Sequence, residues 1–300
     1  MKIVFLDAAT VDLGDMDVSP LRRLGTYRAY DDTSPSQIVS RAREAEVIVA
    51  NKCVLAGKDL ARLPHLKLVC VAATGVNNVD LTAARGRGIA VTNVAGYSTA
   101  TVAEHALLFL LAFSHRLLEH RDAALNGAWT RSGGFAFLGH PFSDLRGKTL
   151  GIVGYGTIGR EVARLARAFG MKVLVAKIPK IHGRVYPKSP LRFPLGQVLR
   201  KSDFITLHCA LTEATFHLIN KETLRWIRPE AFLLNLARGA VVEEGAVARA
   251  LRRGRLAGYA ADVSEREPPP PNHPLFSRRI RGKVLLTPHV AWASGRSSTG

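Results

Sequence analysis

Cysteine is scarce in this sequence of 300 residues: there are three, Cys53, Cys70 and Cys209, and they are far apart. This scarcity excludes a disulfide framework, so we expect the protein to reside in the reducing cytoplasm. No cysteines stand at the spacing of metal ligands, so we expect no bound metal. Long hydrophobic runs are also lacking, since the longest, Ala106–Phe113, is too short to cross a bilayer. The N-terminus lacks the features of a signal peptide. We therefore expect a cytoplasmic protein with no membrane partner.

Acidic side chains are few: 42 Lys and Arg outnumber 24 Asp and Glu, which gives a formal net charge of +18 at pH 7. A basic surface attracts anionic small molecules, and the alternative interpretation is nucleic-acid binding. The basic residues are spread along the chain, with no basic run interleaved with aromatic residues and no zinc-finger spacing. We expect no specific nucleic-acid partner.

Strand and helix patterns alternate in two parts of the chain, which predicts an α/β protein with parallel sheets. In residues 1–99 the predicted strands are Lys2–Leu6, Glu46–Ala50, Leu66–Ala73 and Ile89–Thr92. In residues 148–287 they are Thr149–Val153, Lys172–Ala176, Phe204–His208, Phe232–Asn235, Gly258–Val263 and Lys283–Thr287. Two such units in series predict a ligand cleft between them.

A long helical pattern separates the two parts, from about Thr101 to Asn126. Its first half is apolar nearly all round, with Leu107, Leu108, Leu110 and Leu111. A helix that is apolar on every side has to be buried, here between domains or between subunits. Residues 131–143 then form a loop rich in Gly and Phe.

A glycine motif follows the first strand of the second part. Gly154, Gly156 and Gly159 form G-x-G-x-x-G, and Thr157 and Ile158 open the next helix. The first glycine allows the tight turn, the second lets the backbone approach a pyrophosphate, and the third lets helix and strand pack closely. The helix N-terminus offers unpaired N–H groups to phosphates. The motif therefore predicts a bound dinucleotide.

The end of the next strand lacks the acid that usually holds the ribose hydroxyls of NAD. Lys177 stands there, followed by Lys180, His182 and Arg184. An ammonium cannot accept those hydrogen bonds but pairs well with a 2′-phosphate, so Lys177 favours NADP(H) over NAD(H). The alternative is that these are ordinary exposed lysines.

Reactive side chains follow three later strands of the same part. Arg238 comes after the first, Asp262 and Glu267 after the second, and His289 after the third. Strand ends of such sheets point into the ligand crevice. An arginine binds a carboxylate, a histidine donates a proton near neutral pH, and a carboxylate beside it favours the imidazolium. The set suits hydride transfer to a 2-oxo acid.

With these motifs in order along nearly its whole length, the chain resembles the D-isomer-specific 2-hydroxyacid dehydrogenase family. The resemblance implies that Arg238, Glu267 and His289 are the catalytic trio, and that the backbone amides of Gly75 and Val76 hold the substrate carboxylate. It assigns further residues to the cofactor. Thr101 and Asp262 would lie at the nicotinamide end, and His208, Cys209 and Ala210 on the adenosine side. The other cofactor contacts would be Thr215, Ala237, Arg238, His289 and Ala291. The family usually has proline where Ala210 stands.

Within the family, the segment around His289 is most similar to glycerate dehydrogenases, also called hydroxypyruvate reductases. This likeness implies that Trp292 walls a small pocket and that Lys52 faces the substrate. Each has a simpler alternative: Trp292 as a packing residue and Lys52 as a surface residue.

The resemblance also implies the domain organisation. Residues 1–99 would form a flavodoxin-like substrate-binding domain and residues 100–287 an NAD(P)-binding Rossmann domain, with residues 288–300 returning to the first. Family members usually continue into a C-terminal helix, so its absence here raises the question of stability and turnover. The helix region 101–126 would form a homodimer interface.

The implied function is NAD(P)H-dependent reduction of a small 2-oxo acid, hydroxypyruvate or glyoxylate, to the D-2-hydroxy acid, with His289 as the proton donor. Two alternatives stay open. One is a cofactor-sensing, corepressor-like binding module with little turnover, and the other is phosphite oxidation.

Overall fold

The computed structural model describes residues 1–12, 14–178 and 190–294. The chain divides into two compact units: Met1–Tyr97, to which Ser294 also belongs, and Ser98–Ala293. The sequence prediction ended the second unit at residue 287, whereas residues 288–293 are grouped with it. His289 therefore belongs to the same unit as the glycine motif.

The first unit is built on five parallel strands within the described residues: β1 (Lys2–Phe5), β2 (Thr26–Ala29), β3 (Val47–Ala50), β4 (Leu68–Val71) and β5 (Ala90–Asn93). Their order, β2-β1-β3-β4-β5, is that of flavodoxin-like folds. Its helices are α1 (Ser19–Leu24), α2 (Ile38–Ala42), α3 (Gly57–Leu60) and α4 (Leu81–Gly86). Ile48 and Val69, on adjacent inner strands, are fully buried, which explains their apolar runs.

The prediction missed α1, α3 and β2. The reason for β2 is physical: it lies at the edge of the sheet and most of its residues are exposed, so it carries no run of apolar residues.

The second unit has seven parallel strands among its described residues: β6 (Thr149–Val153), β7 (Lys172–Lys177), β8 (Arg192–Pro194), β9 (Phe204–Leu207), β10 (Phe232–Asn235), β11 (Gly258–Ala261) and β12 (Val284–Leu286). Their order is β12-β11-β10-β9-β6-β7-β8, a Rossmann order extended by one strand. The predicted fold class is thus confirmed. The strand order reverses between β6 and β9, where such folds bind their ligand.

The helices of the second unit are α5 (Thr99–Ser114), α6 (Leu117–Leu125), α7 (Ala128–Ser132), α8 (Thr157–Ala168), α9 (Leu195–Lys201) and α10 (Glu244–Arg252). The prediction of one helix from Thr101 to Asn126 was wrong. The chain adopts a left-handed conformation at Arg116, with φ of 48°, and α5 and α6 meet at a bend of 60°. No glycine or proline marks this break, so no local signal predicts it.

Among the described residues, no single helix has both the length and the apolar character needed to cross a membrane; α5 and α6 meet that criterion only when taken together. One face of α5, including Val102, Ala106 and Leu110, is buried in the core shared with α8. Leu108, however, is 50 % exposed. Within this chain the helix is therefore buried on one face and not all round.

Candidate active site

The glycine motif forms a tight turn from β6 into α8. Gly154 has a φ of 97°, which other residues adopt at a cost, and a Cβ on Gly159 would lie 2.1 Å from the carbonyl oxygen of Gly154. A Cβ on Gly156 would meet nothing within 4 Å. The first and third glycines thus close the turn, and the second faces open space.

The first turn of α8 presents free amides. The N–H of Arg160 bonds to the carbonyl of Gly156, whereas those of Thr157, Ile158 and Gly159 have no acceptor within the described part of the chain. Unpaired N–H groups at a helix N-terminus bind anions. This end of α8 therefore fits a pyrophosphate.

The end of β9 lies against the glycine turn. A Cβ on Gly154 would come within 2.4 Å of the Cys209 nitrogen, so the two backbones touch. Burial lowers the pKa of His208 to about 4, and its Nε2 lies 2.9 Å from Thr206 Oγ1. Burial raises the pKa of the Cys209 thiol to about 11. Both side chains are therefore neutral near pH 7.

The segment after Cys209 is shaped by its own hydrogen bonds. The hydroxyl of buried Thr215 donates to the carbonyl of Ala210 at 2.7 Å and accepts from the N–H of Thr212 at 2.8 Å. Ala210 itself is exposed. Thr215 thus holds the turn that presents Ala210.

Lys177 is the last residue of β7 and is exposed. Its backbone pairs with Pro194 of β8. The other predicted basic residues here, Lys180, His182 and Arg184, lie outside the described residues.

The three predicted catalytic residues follow adjacent strands. Arg238 comes three residues after β10, Glu267 follows β11 and His289 follows β12, and these strands are neighbours in the sheet. Since parallel strands end at one edge, all three belong to the same edge as the glycine turn.

Glu267 and His289 are within hydrogen-bond distance of each other. Nδ1 of His289 lies 2.7 Å from Oε2 of Glu267, and Oε1 of Glu267 accepts a hydrogen bond from the Ser264 N–H at 3.0 Å. The imidazole is 23 % exposed. With Nδ1 engaged, Nε2 is the ring nitrogen left to exchange a proton with a ligand.

Arg238 sits in a turn held by Asn235, which is fully buried. The Asn235 side chain donates to the Arg238 carbonyl at 3.0 Å and accepts from the Ala237 N–H at 3.1 Å. The next residue, Gly239, lies directly against the loop after β11, because a Cβ there would fall 1.9 Å from the carbonyl carbon of Ser264. The arginine turn and the loop leading to Glu267 are thus in contact.

Asp262 holds the turn that carries His289. Its Oδ1 accepts from the Thr287 hydroxyl at 2.6 Å and from the Val290 N–H at 2.9 Å, and its Oδ2 accepts from the Ala291 N–H at 2.9 Å. Asp262 is 3 % exposed. His289 itself has a φ of 55°, an uncommon conformation for a residue with a side chain, and these bonds fix it on both sides.

A second buried carboxylate supports the Glu267 side. Oε2 of Glu244 accepts from the Ser264 hydroxyl at 3.2 Å and lies 2.9 Å from Nε2 of His273. Ser264 in turn bonds to Glu267 through its N–H. Sequence reasoning missed Glu244 and His273, which no motif marks.

A cavity of about 350 Å³ adjoins the Glu267–His289 pair. Its walls are mostly apolar, with Pro268, Leu275 and Phe276, and Arg238 is not among its lining residues. The cavity therefore lacks the cation that a small carboxylate needs, and we do not assign the substrate to it. Among the described residues, no group of three or more His, Cys, Asp and Glu could hold a metal.

In the first unit, Lys52 stands on a loop anchored by Asp7. The buried Asp7 carboxylate accepts hydrogen bonds from the N–H groups of Asn51, Lys52 and Cys53, at 2.9 Å for Asn51 and 2.7 Å for Cys53. The Lys52 residue is exposed. The backbone from which the Lys52 side chain extends is therefore anchored by Asp7.

Gly75 and Val76, also in the first unit, lie just after β4. Neither backbone N–H has an acceptor among the described residues. Two adjacent amides without an acceptor are able to donate hydrogen bonds to an anion. In the second unit, Thr101 is in the first turn of α5 and Trp292 is half-buried three residues after His289.

Several residues that shape the site escaped sequence reasoning: Asn235, Gly239, Ser264, Thr287 and His105, whose Nε2 lies 3.0 Å from the Thr287 hydroxyl. Ala237 and Ala291, which follow two of these strands, are both buried. Only Gly239 carried a weak signal, as a glycine directly after a strand-end arginine.

The comparisons with known proteins agree with this geometry. The sequence model described as "D-isomer specific 2-hydroxyacid dehydrogenase, NAD binding domain" matches residues 107–291. The chain is 37 % identical to the glycerate dehydrogenase of Methylorubrum extorquens over 98 % of this chain and 90 % of that protein. It is 33 % identical to the hydroxypyruvate reductase of Blautia hydrogenotrophica, over 99 % of this chain and 92 % of that one.

A comparison with solved structures also agrees with this fold. The NADPH-dependent glyoxylate/hydroxypyruvate reductase of Sinorhizobium meliloti, determined with NADP and malonate, superposes with a TM-score of 0.81 at 28 % identity. The superposition covers 99 % of this chain and 88 % of that one.

Proposed function

Because the chain belongs to the D-isomer-specific 2-hydroxyacid dehydrogenase family, we propose that it reduces hydroxypyruvate or glyoxylate to the corresponding D-2-hydroxy acid. The family makes it an oxidoreductase that acts on small 2-oxo and 2-hydroxy acids with NAD(P). The observation that carries the proposal is the 2.7 Å contact between His289 and Glu267 at the sheet edge that Arg238 shares. The names of the relatives favour this reaction over the corepressor-like and phosphite-oxidising alternatives.

The residues present fit a nicotinamide dinucleotide. The free amides of Thr157, Ile158 and Gly159 suit its pyrophosphate, and the open space over Gly156 lets the backbone approach it. Among the described residues, three of the roughly four acceptor positions of the Asp262 carboxylate are used, and the remaining one, on Oδ2, suits the carboxamide N–H. We assign the adenosine side to His208, Cys209, Ala210 and Thr215, and the nicotinamide end to Thr101, Ala237 and Ala291.

The chemistry needs a cation, a proton and an oriented imidazole. When bound, the reduced nicotinamide supplies hydride to C2 of the 2-oxo acid. Arg238 binds the substrate carboxylate and polarises the carbonyl, because its guanidinium is permanently charged. His289 gives the proton of Nε2 to the alkoxide oxygen, and Glu267 holds the ring through Nδ1. In the reverse reaction His289 Nε2 accepts that proton.

The substrate has further proposed partners. The free amides of Gly75 and Val76 suit a carboxylate, and Lys52, on its anchored loop, adds a positive charge. Trp292 would wall the pocket near the substituent on C2, where its bulk favours small substrates.

The experiment is a substrate screen with the purified protein. The absorbance of NADPH and of NADH is followed with hydroxypyruvate, glyoxylate, pyruvate and 2-oxoglutarate, and NAD reduction is followed with phosphite. We expect hydroxypyruvate or glyoxylate to give the highest kcat/KM. Oxidation with none of the 2-oxo acids would refute the proposal; cofactor binding without turnover would then favour the binding module, and NAD reduction with phosphite would favour phosphite oxidation.

We also propose NADP(H) as the preferred cofactor. The support is Lys177, an exposed cation at the end of β7 where an acid would exclude a 2′-phosphate. A charged pair between an ammonium and a phosphate attracts, whereas the two ribose hydroxyls of NAD gain no acceptor there.

A homodimer is the third proposal. Large apolar side chains are exposed from α5 through the loop after α7: Leu108, Leu117, Leu118, Leu125, Trp129, Phe135, Leu138 and Phe142. Phe135 is 98 % exposed and Leu138 is 86 % exposed. Such a concentration of exposed apolar surface marks an interaction site, and a second copy related by a two-fold axis would cover it.

The three free thiols fit the cytoplasmic location that we propose.

A further inference from the structure

His105, on α5, is joined to the His289 turn by a chain of two hydrogen bonds. Its Nε2 lies 3.0 Å from the Thr287 hydroxyl, and that hydroxyl lies 2.6 Å from Oδ1 of Asp262. His105 is no part of the trio or of the glycine turn, and the chemistry proposed above makes no use of it.

The direction of these bonds follows from counting protons. An ionised carboxylate can only accept, so the single hydroxyl proton of Thr287 points to Asp262. The Thr287 oxygen must then accept from His105, which requires a proton on Nε2. Burial lowers the pKa of His105, and the negative charge of Asp262 opposes this effect. The ring is thus a neutral Nε2–H donor near pH 7.

The hydrogen-bond chain that begins at His105 ends at the turn that carries His289. The same Asp262 carboxylate accepts from the N–H groups of Val290 and Ala291, on the far side of His289 from Thr287. His289 has a φ of 55°, a conformation that persists only where its surroundings hold it. The orientation of Asp262 therefore decides where His289 stands.

At the other end of this hydrogen-bond chain, His105 is held by its packing. The ring of His105 packs edge-on against Phe109, with 4.7 Å between centroids, and Phe109 is buried in the core that α5 shares with α8. A donor fixed in this way restricts the rotation of the Thr287 hydroxyl and, through it, the carboxylate.

We propose that His105 is a positioning residue that holds the His289 turn in its reactive geometry through Thr287 and Asp262. The proposal rests on the proposed function for its effect on turnover. The hydrogen-bond chain itself does not depend on that function.

The first test is spectroscopic and needs no activity. Long-range ¹H–¹⁵N correlation spectra of the ¹⁵N-histidine-labelled protein near pH 7 report which nitrogen of His105 is protonated, and His105→Gln identifies its signals. We expect the Nε2–H form. Thr287→Val should move the His105 and His289 signals, whereas Thr287→Ser should leave them close to their wild-type positions. An Nδ1–H form of His105, or no movement of the His289 signals in Thr287→Val, would overturn the proposal.

The second test is kinetic and uses matched pairs. His105→Phe keeps an aromatic ring but removes the donor, and His105→Gln places an amide N–H near the position of Nε2. We expect His105→Phe to lower kcat by about ten- to a hundredfold, the effect of a misplaced catalytic group, with KM nearly unchanged. His105→Gln should recover most of that loss. Likewise, Thr287→Val should lower kcat, and Thr287→Ser, which keeps the hydroxyl, should recover most of that loss.

The double variant His105→Phe/Thr287→Val adds a coupling measurement. If both residues act through one chain, the double variant should lose little more activity than either single variant. Equal kcat for His105→Phe and His105→Gln, or additive losses in the double variant, would show that the ring merely fills space. A wild-type protein without turnover would refute the proposed function instead and leave the spectroscopic test to decide.

Discussion

Nδ1 of His289 lies 2.7 Å from Oε2 of Glu267, although the two residues follow different strands of the sheet. The contact fixes the ring and leaves Nε2 to transfer a proton. His289→Ala should therefore lower kcat by about 10²–10⁴-fold, the scale of general acid–base catalysis, and Glu267→Gln should lower kcat by about tenfold or more. Steady-state kinetics with hydroxypyruvate would measure both, with cofactor affinity from fluorescence titration as the control. Wild-type kcat in His289→Ala would refute its role.

Gly239 should tolerate no side chain. Its Cβ would lie 1.9 Å from the carbonyl carbon of Ser264 and 2.1 Å from the Glu265 nitrogen, and backbone cannot move aside as a flexible side chain does. We expect Gly239→Ala to lower the free energy of unfolding by about 1–3 kcal/mol or more, and to reduce kcat by shifting Arg238 and the Glu267 loop. Gly282→Ala is the matched control, because nothing lies within 4 Å there. Equal melting temperatures for the two variants would contradict this prediction.

Lys177 should select the cofactor. Lys177→Ala is expected to raise the KM for NADPH about tenfold, the loss of one charged contact of about 1.4 kcal/mol, and to change the KM for NADH little. Lys172→Ala, at the other end of β7 and also exposed, is the matched control. A wild-type kcat/KM that is much higher with NADH than with NADPH would contradict the NADP(H) proposal.

The exposed apolar side chains beyond α5 should hold two copies together. Phe135→Asp/Leu138→Asp is expected to shift the molar mass in light scattering toward that of a monomer, because it places charges in an apolar contact. Leu24→Asp, which changes an exposed apolar residue of α1, should leave the mass unchanged. A monomeric wild-type protein at micromolar concentration would end the dimer proposal.

His208 should make stability depend on pH. Its pKa is about 4 in the folded protein and about 6.5 in an unfolded chain, so below pH 6.5 the unfolded chain binds more protons. The stability that the neutral ring contributes is complete above about pH 6.5 and is lost as the pH falls toward 4. The loss of Tm over this interval should be smaller in His208→Gln, which keeps an amide near the position of Nε2. An equal loss in both proteins would argue against a depressed pKa.

Much of the fold could be predicted because its signals are local. Buried parallel strands are runs of apolar residues, and the turn at Gly154 needs a residue without a side chain, so both are visible in the sequence. The break at Arg116 and the edge strand β2 could not be predicted, because neither the φ of 48° nor the pairing of Thr26 with Lys2 leaves a mark on the residues themselves.

The residues of the site could be listed from local patterns: a glycine turn for a dinucleotide, then an arginine, a glutamate and a histidine, each after a strand of the same sheet. These positions follow from the rule that parallel strands end at one edge. Which groups hold these residues in place is visible only in the folded protein. Asp262 holds the His289 turn, Ser264 supports Glu267, and His105 reaches Asp262 through Thr287, because hydrogen bonds between residues far apart in the chain depend on packing and on no local pattern.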